Sequence, residues 1–580
     1  MMYSSAARPR LRSGLVVLPL GVLIGLFFLV PISLIIWDSF FGTALNFSKY
    51  RDAILDPINY RVLSHTLTIA LLVTAVSILI AYPVALYLTK LRPVLLSIAV
   101  SIILIPLFTA FLIRTYAWII ILGRQGIVNN LLMSLGIIHQ PLQILNTSTA
   151  VVIGMAHVFI PTAIFTIYAG MTRIDPVLSR AALALGAHPT KAFTRVYFPL
   201  TLPSVLSASV LIFIAALGFY ITPALLGGPA DTMISQLVIV QMTTLLDFEM
   251  GFALAGILLF ITMLALLIAS VLVPLEVIWT TDAQVEPQRL MESRLFQNLK
   301  VTFHPILALC EDAFEWLVSP LRAASIPWGG FFCVVALTYL AAPLFVVVIL
   351  SFSSSQFVIF PPPGFSIQWW VKLYQAADWH AAFFSSLWLG AVVCAIATII
   401  GGMGAFWLVR SSFPYKRLLF VLVLSPLIVP TIVTATALYV FEARVKLLGS
   451  FLGLATGHLL LATPYVVIIM SAALRGFDRN LERAAVIHGA NIFQTLSRVT
   501  IPLLAPAIVT SMLIAFLTSF DELLITIFLI GRQPPTLPLK FWGDIKYQID
   551  PLLSAASTLI VVLTAIGVAL VQLGRTRRTV

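Results

Sequence analysis

Long apolar runs separated by short polar segments make up most of this chain of 580 residues. A helix needs roughly 20 apolar residues to cross a hydrocarbon core about 30 Å thick. Runs of that length lie at residues 14–38, 64–89, 94–122, 149–171, 203–226 and 251–275, and again at 326–353, 382–409, 416–441, 451–474, 506–530 and 552–574. The pattern predicts an all-α integral membrane protein with about 12 transmembrane helices.

The composition agrees with a membrane protein. Hydrophobic residues form 60% of the chain, charged residues form 10%, and the mean hydropathy is +1.06. These values exclude a soluble globular domain of this length. The net charge of +12 is the balance of 34 lysines and arginines against 22 acidic residues. Most of the lysines and arginines fall in alternate loops. Because such residues collect on the cytoplasmic side, we expect both termini to be cytoplasmic and no nucleic-acid partner. No cleavage-site pattern follows the basic N-terminus, so the first span should be uncleaved.

Two polar stretches repeat 303 residues apart and align without a gap. They read DPVLSRAALALGAHPTKAFTRVYFPLTLP at residues 175–203 and DRNLERAAVIHGANIFQTLSRVTIPLLAP at residues 478–506, and we call them the repeat loops. Each repeat loop lies between the fourth and fifth apolar runs of its half. The repeat therefore predicts two parallel six-helix halves, at 1–275 and 326–580, that present equivalent loops to a partner in water.

The residue types of the repeat loops predict short helices. In the first copy, Asp175 suits the N-cap of a helix and Gly186 suits the position that ends it. We expect a second short helix at about 189–197, which Pro199 and Pro203 should end before the next span. The second copy has the same residue types in the same places.

Each repeat loop resembles the EAA loop of binding-protein-dependent ABC importer permeases, in which Glu-Ala-Ala, three residues and a glycine precede a hydrophobic-proline ending. The resemblance implies a helix that docks in a cleft of a cytoplasmic ATPase subunit. The family's glutamate position holds Arg180 in one copy and Arg483 in the other, and Ser179 matches Glu482 one residue earlier. The coupling residues implied are Arg180, Ala181, Ala182, Gly186, Glu482, Arg483, Ala484, Ala485 and Gly489.

The same resemblance implies the partners. The chain contains no GxxxxGK[ST] loop to hold a nucleotide phosphate, so we expect it to be no enzyme and to bind no cofactor. Two copies of a cytoplasmic ABC ATPase subunit would use ATP and Mg²⁺, and an extracytoplasmic solute-binding protein would deliver the cargo. The three cysteines lack metal-ligand spacing, so no metal site is predicted. The expected location is a bacterial inner membrane.

Four segments extend the resemblance over nearly the whole chain. They are RTYAWIIILGRQGIVNNLL at 114–132, ITPALLGGPADTMISQLV at 221–238, LSPLIVPTIV at 424–433 and SFDELLITIFLIGRQPPTLPLK at 519–540. Together they resemble the two permease subunits of spermidine/putrescine-type importers, in order and fused. This implies a small cationic or zwitterionic, polyamine-like solute. Relatives of that branch carry an opine, aminoethylphosphonate, thiamine or ferric iron, and these stay alternatives.

Two adjacent carboxylates lie within the predicted eleventh span. Asp521 and Glu522 stand about 15 residues into it, and a charge at such depth costs roughly 2.5–3.5 kcal/mol on insertion scales. Neighbouring helix positions point about 100° apart, so we expect one of the two to face a cavity and contact a cationic cargo. An internal ion pair or a cap on another helix is the alternative. The matching first-half positions are Gly218 and Phe219.

Aromatic residues near the predicted outer face could line a cation–π wall, although an interfacial aromatic belt explains any one of them better. These candidates are Tyr116, Trp118, Phe219, Tyr220, Trp542 and Tyr547. Arg114 and Arg124 would repel a polyamine if they faced the cavity and would favour an anionic or zwitterionic cargo instead. The remaining candidates for polar chemistry show no ligand geometry and are interpreted as packing or loop residues: His157, His188, His458 and His488.

Two further alternatives remain. The long polar connection at 276–325 is either an interfacial amphipathic helix or a tether between the two halves. Twelve spans in two parallel halves also fit a major-facilitator secondary transporter. That class places a charge-rich loop between spans two and three, where this chain has only KLRP at 90–93.

Overall fold

The computed structural model describes residues 10–41, 48–272, 328–547 and 549–576. The predicted connection at 276–325 therefore lies outside the described residues. Apart from one isolated β-bridge between Ser353 and Phe365, the regular structure of the described residues is helical. The predicted fold class, an all-α membrane protein, is confirmed.

The helices follow one another with short connections in both halves. Those before the undescribed connection are α1 Arg10–Ile24, α2 Val30–Phe41, α3 Ser48–Leu55, α4 Pro57–Leu88, α5 Pro93–Phe108, α6 Phe111–Leu122, α7 Ile127–Ser134, α8 Ser148–Met171, α9 Pro176–Ala184, α10 Pro189–Ala192, α11 Phe198–Leu217, α12 Ile221–Leu226, α13 Ile234–Ile239 and α14 Phe248–Leu272. Those after it are α15 Trp328–Leu350, α16 Gln368–Gln375, α17 Ala377–Arg410, α18 Lys416–Ile428, α19 Thr431–Arg444, α20 Phe451–Arg475, α21 Arg479–Ile487, α22 Ile492–Thr495, α23 Ile501–Phe520, α24 Leu524–Leu529, α25 Leu537–Tyr547 and α26 Pro551–Thr576.

Within the described residues, ten helices are long and apolar enough to cross a membrane, or eleven if a bent pair counts as one. That pair, α18 and α19, meets at 97° in the middle of the predicted ninth span. Pro430 stands at the bend and precedes α19, and a residue before proline disfavours helical backbone. The predicted span at 416–441 therefore consists of two helices, and the run at 94–122 is likewise divided into α5 and α6.

The fifth and eleventh predicted spans are also broken near one end. Helix α11 ends at Leu217 and α12 begins at Ile221, while α23 ends at Phe520 and α24 begins at Leu524. In each half, the residues between the two helices leave the helical path within an apolar run. These two breaks fall at the same place in the repeat.

Pro199 and Pro203 do not end the second short helix of the first repeat loop, contrary to expectation. A π-helical turn at Phe193–Tyr197 joins α10 to α11, and Phe198 N–H bonds to Phe193 O, five residues back. Pro199 falls in the first turn of α11, where a missing N–H is tolerated. The result is one continuous rod of 29 residues from Pro189 to Leu217, and the second half repeats it from Ile492 to Phe520.

Helix starts reveal how the two halves correspond. Helices α8, α11 and α12 begin 303 residues before α20, α23 and α24, whereas α4 and α6 begin 320 residues before α17 and α19. The difference arises between α6 and α8, where the first half contains the additional helix α7. The same element order in both halves agrees with a parallel repeat.

The chain forms two compact units that do not follow the halves of the sequence. Of the described residues, the first unit contains 10–41, 48–60, 234–262 and 372–547, and the second contains 61–233, 263–272, 328–371 and 549–576. In the first unit α17 packs against α20 and α23. Gly401 permits the close approach of α17 to α20, because a Cβ there would lie 2.8 Å from Val466 Cγ1. In the second unit α8 packs against α11, and α15 against α26.

Candidate functional sites

Both repeat loops begin with a capped helix. Asp175 Oδ1 accepts a hydrogen bond from Val177 N–H at 2.8 Å, and Asp478 Oδ1 accepts one from Asn480 N–H at 2.9 Å. An N-cap aspartate satisfies one of the backbone donors that a helix leaves unpaired. The predicted start of each loop helix is confirmed.

Both loop helices also end alike. Gly186 and Gly489 adopt φ of +85° and +84°, the left-handed region that disfavours any residue with a Cβ. The following residue closes the turn, because Ala187 N–H bonds to Ala182 O at 3.0 Å and Ala490 N–H bonds to the matching carbonyl at 3.0 Å. No atom lies within 4 Å of a Cβ built on either glycine, so the constraint is conformational and not steric.

The loop helices α9 and α21 expose apolar side chains. Neither helix contains a buried residue. Leu185, which follows α9, is 89% exposed, and Ile487, at the end of α21, is 83% exposed. Of the predicted coupling residues, Ala182, Glu482 and Ala485 are partly covered and the others are exposed. An exposed apolar surface of this kind is typical of a protein contact.

The second repeat loop has an ion pair that the first cannot form. Arg410 Nη2, at the end of α17, lies 3.2 Å from Glu482 Oε2, and Thr500 Oγ1 donates to Glu482 Oε1 at 3.0 Å. The Glu482 carboxylate, one residue before the family's glutamate position, is thus bound within the chain. Ser179 and Lys90 match Glu482 and Arg410 in the first half, so the acid is missing there.

Asp521 and Glu522 lie in the break between α23 and α24, so their placement inside a continuous helix was wrong, and the expected 100° separation does not apply. Both side chains are partly exposed. Glu522 Oε1 accepts a hydrogen bond from Ile525 N–H at 2.8 Å and so caps α24. The alternative role, a helix cap, therefore applies to one carboxylate oxygen of Glu522. Contact of either carboxylate with a cargo stays a prediction.

The candidate aromatics do not share one environment. In the second unit Tyr116 is fully buried, with its hydroxyl 2.9 Å from Ser554 Oγ, and Trp118 packs 5.6 Å from the ring of His157. Tyr220 is 6% exposed, whereas Phe219 is partly exposed.

In the first unit, Trp542 is 7% exposed and its ring lies 4.8 Å from Lys546 Nζ, while Tyr547 is 90% exposed. A cation–π role stays a prediction, and in this conformation only Phe219 and Tyr547 among the six candidates are accessible. Arg114 is 1% exposed beside the Phe111 ring, so it presents no charge at a surface here.

Sequence reasoning missed three side chains that hold these sites. Arg410 and Thr500 bind Glu482, and His458 bonds to residues on both sides of the break at Asp521. His458 was interpreted as a packing or loop residue, and it is 1% exposed. The two halves differ at this position, because the apolar Met155 matches His458 at the offset of 303 residues. That difference is the sequence signal that could have identified His458.

Comparison with known proteins identifies the family. Residues 43–275 and 396–577 match the family described as the binding-protein-dependent transport system inner membrane component. The chain belongs to this family and carries its domain twice. Together with the apolar helices, family membership makes the chain a multi-pass inner-membrane protein.

Individual relatives are similar to parts of the chain. The spermidine/putrescine transport system permease protein PotB of Escherichia coli K12 is 32% identical over 200 residues, covering 34% of this chain and 73% of PotB. The putrescine transport system permease protein PotI of the same strain is 31% identical over 249 residues, covering 42% of this chain and 88% of PotI.

A crystal structure of a bacterial alginate ABC transporter, with its pentasaccharide-bound periplasmic protein, is also similar. It shows 18% identity and a TM-score of 0.39, and the match covers 45% of this chain and 94% of that one.

The ion pair predicts that Arg410 and Glu482 stabilise α21 together. Glu482→Arg or Arg410→Glu alone should place like charges together and speed amide hydrogen exchange in residues 479–487 roughly fivefold, equivalent to about 1 kcal/mol. The double exchange should restore slow exchange. Hydrogen–deuterium exchange with mass spectrometry measures this, with Ser179→Arg as the first-loop control.

No acceleration in either single variant, or no recovery in the double variant, would show that the pair does not hold α21.

Proposed function

We propose that the chain is the translocating permease of an ATP-driven importer for a small polyamine-like cation or zwitterion. A binding protein outside the membrane delivers this solute. Family membership supports the importer class, and the relatives PotB and PotI, named for spermidine and putrescine transport, support the cargo. The observation that carries the proposal is the duplicated loop with the same caps and the same exposed apolar surface.

Each repeat loop docks one copy of a cytoplasmic ATPase subunit, so two copies bind one chain. The ATPase subunits hold ATP and Mg²⁺, and this chain performs no chemistry of its own. The nine predicted coupling residues lie on α9 and α21 and at the glycine turns that follow them, and six of the nine are exposed. The glycine turns fix how each helix is presented. In this arrangement both termini lie in the cytoplasm.

A continuous rod connects each docking loop to a break. In the second half, the helix from Ile492 to Phe520 begins shortly after α21 in the chain and ends directly before Asp521. At about 1.5 Å per residue, 29 residues span about 43 Å, which exceeds the thickness of the hydrocarbon core. A movement of the loop on nucleotide binding therefore displaces the break, which gives a mechanical route from ATP hydrolysis to the cargo.

The break in the second half supplies the charge that a cationic cargo needs. Asp521 and Glu522 are partly exposed carboxylates beside α24, whereas Gly218 and Phe219 occupy the first-half break. A carboxylate in a low-dielectric environment attracts an ammonium group strongly.

Transport by the reconstituted complex tests the proposal. The chain, its ATPase and its binding protein are placed in proteoliposomes, and uptake of radiolabelled putrescine and spermidine is followed. We expect uptake that requires ATP, is blocked by vanadate and does not respond directly to a protonophore.

Uptake driven by a proton gradient without ATP would replace the importer with a secondary transporter. ATP-dependent uptake of thiamine, an opine, aminoethylphosphonate or ferric iron, but of no polyamine, would leave the importer and replace the cargo.

The left-handed turns at Gly186 and Gly489 should be necessary for docking of the ATPase. Gly186→Val and Gly489→Val should each weaken co-purification of the ATPase roughly tenfold, because a β-branched residue in left-handed backbone costs about 1–2 kcal/mol. Asparagine tolerates this backbone, so Gly186→Asn and Gly489→Asn are matched controls that should retain most of the ATPase. Normal co-purification and coupling in both valine variants would argue against docking by the repeat loops.

A further inference from the structure

One histidine joins three helices around the break that carries the carboxylates. His458 lies within α20 and is 1% exposed. Its Nδ1 lies 2.9 Å from Ser519 Oγ, near the end of α23, and its Nε2 lies 3.1 Å from Thr526 Oγ1, in α24. Both hydroxyl-bearing residues are buried as well, at 4% and 0% exposure.

The same two residues hold the backbone of Glu522. Its N–H bonds to Ser519 O at 3.4 Å, and its carbonyl accepts a hydrogen bond from Thr526 Oγ1 at 3.1 Å. The Glu522 carboxylate also caps α24 through Ile525 N–H. Ser519 on one side of the break and Thr526 on the other therefore each connect His458 to the backbone of Glu522.

The hydrogen-bond directions are mutually consistent for a neutral imidazole. The Thr526 hydroxyl donates its hydrogen bond to the Glu522 carbonyl. The Thr526 oxygen must therefore accept a hydrogen bond from His458 Nε2–H. The other ring nitrogen then accepts from the Ser519 hydroxyl. The set is a buried polar network in which each imidazole nitrogen has a partner, and such networks fix one geometry.

The first half shows that this network is not required to build the break. Its matching residues are Met155 for His458, Ala216 for Ser519, Phe219 for Glu522 and Pro223 for Thr526, none of which has a hydroxyl, imidazole or carboxyl group. Helices α8, α11 and α12 nevertheless adopt the same arrangement along the chain. The network therefore occurs only together with the carboxylates.

We propose that His458 is a positioning residue that, through Ser519 and Thr526, holds Glu522 where its carboxylate contacts the cationic cargo. This inference rests on the proposed import of a polyamine-like cation and adds the residue that sets its carboxylate site. His458 itself does not touch the cargo. Loss of the imidazole leaves the fold and the docking loops intact and lets the Glu522 segment move.

The test counts cargo moved per ATP hydrolysed in proteoliposomes with saturating putrescine-loaded binding protein. His458→Met, which places the first-half residue at this position, should lower the ratio roughly tenfold, because small displacements of a binding group are costly. ATPase activity stimulated by the binding protein should stay within about twofold, since the docking loops are unchanged. Met155→Leu is the control in the first half and should leave the ratio unaltered.

A double-variant comparison separates positioning from packing. Glu522→Gln should lower the ratio by itself, and His458→Met should cause little further loss in the Glu522→Gln background. A double variant, Ser519→Ala with Thr526→Val, keeps the imidazole and should lower the ratio as much as His458→Met does. It serves as the test if the His458→Met protein folds poorly. Equal losses from His458→Met with and without the Glu522 carboxylate would overturn the inference.

The failure modes are distinguishable. If wild-type protein imports putrescine with ATP but His458→Met or Glu522→Gln leaves the ratio unchanged, this inference is wrong and the proposed function stands. If wild-type protein imports no polyamine, the cargo assignment and this inference both fail.

Discussion

The constraint on which the structure depends is that a chain crossing hydrocarbon must satisfy its backbone hydrogen bonds internally. Continuous helices do this without help, so every interruption requires substitutes. At the break after Phe520, Asp521 N–H bonds to Leu517 O at 3.0 Å. Ile525 N–H finds the Glu522 carboxylate at 2.8 Å. At this break a side-chain carboxylate takes up a backbone donor of α24, and that carboxylate is also a group suited to a cation.

The two halves are alike in their repeat loops and different at their breaks. The repeat loops are short helices with local caps, and both copies use an aspartate and a left-handed glycine. The breaks are built differently: one uses Phe219 among aromatic neighbours and the other uses Glu522 with His458. Two equivalent loops suit two equivalent partners, while a single acidic break suits a solute that carries charge.

Local chemistry made the repeat loops predictable from sequence. An aspartate followed by a short helix, and a glycine at its end, determine their geometry within about ten residues. The breaks were not predictable, because each lies in an apolar run that reads as one span. The partners that hold the sites are also distant along the chain: at the second-half break His458 precedes Ser519 by 61 residues, and at the second repeat loop Arg410 precedes Glu482 by 72. The compact units likewise combine segments of both halves through packing that no local pattern encodes.

If one fused chain provides both docking loops, the assembled complex contains a single copy of it, and the composition of that complex decides the matter. Native mass spectrometry of the complex purified with its ATPase gives the number of each subunit. We expect one copy of this chain with two ATPase subunits. A complex containing two copies of this chain, or one ATPase subunit per chain, would contradict it.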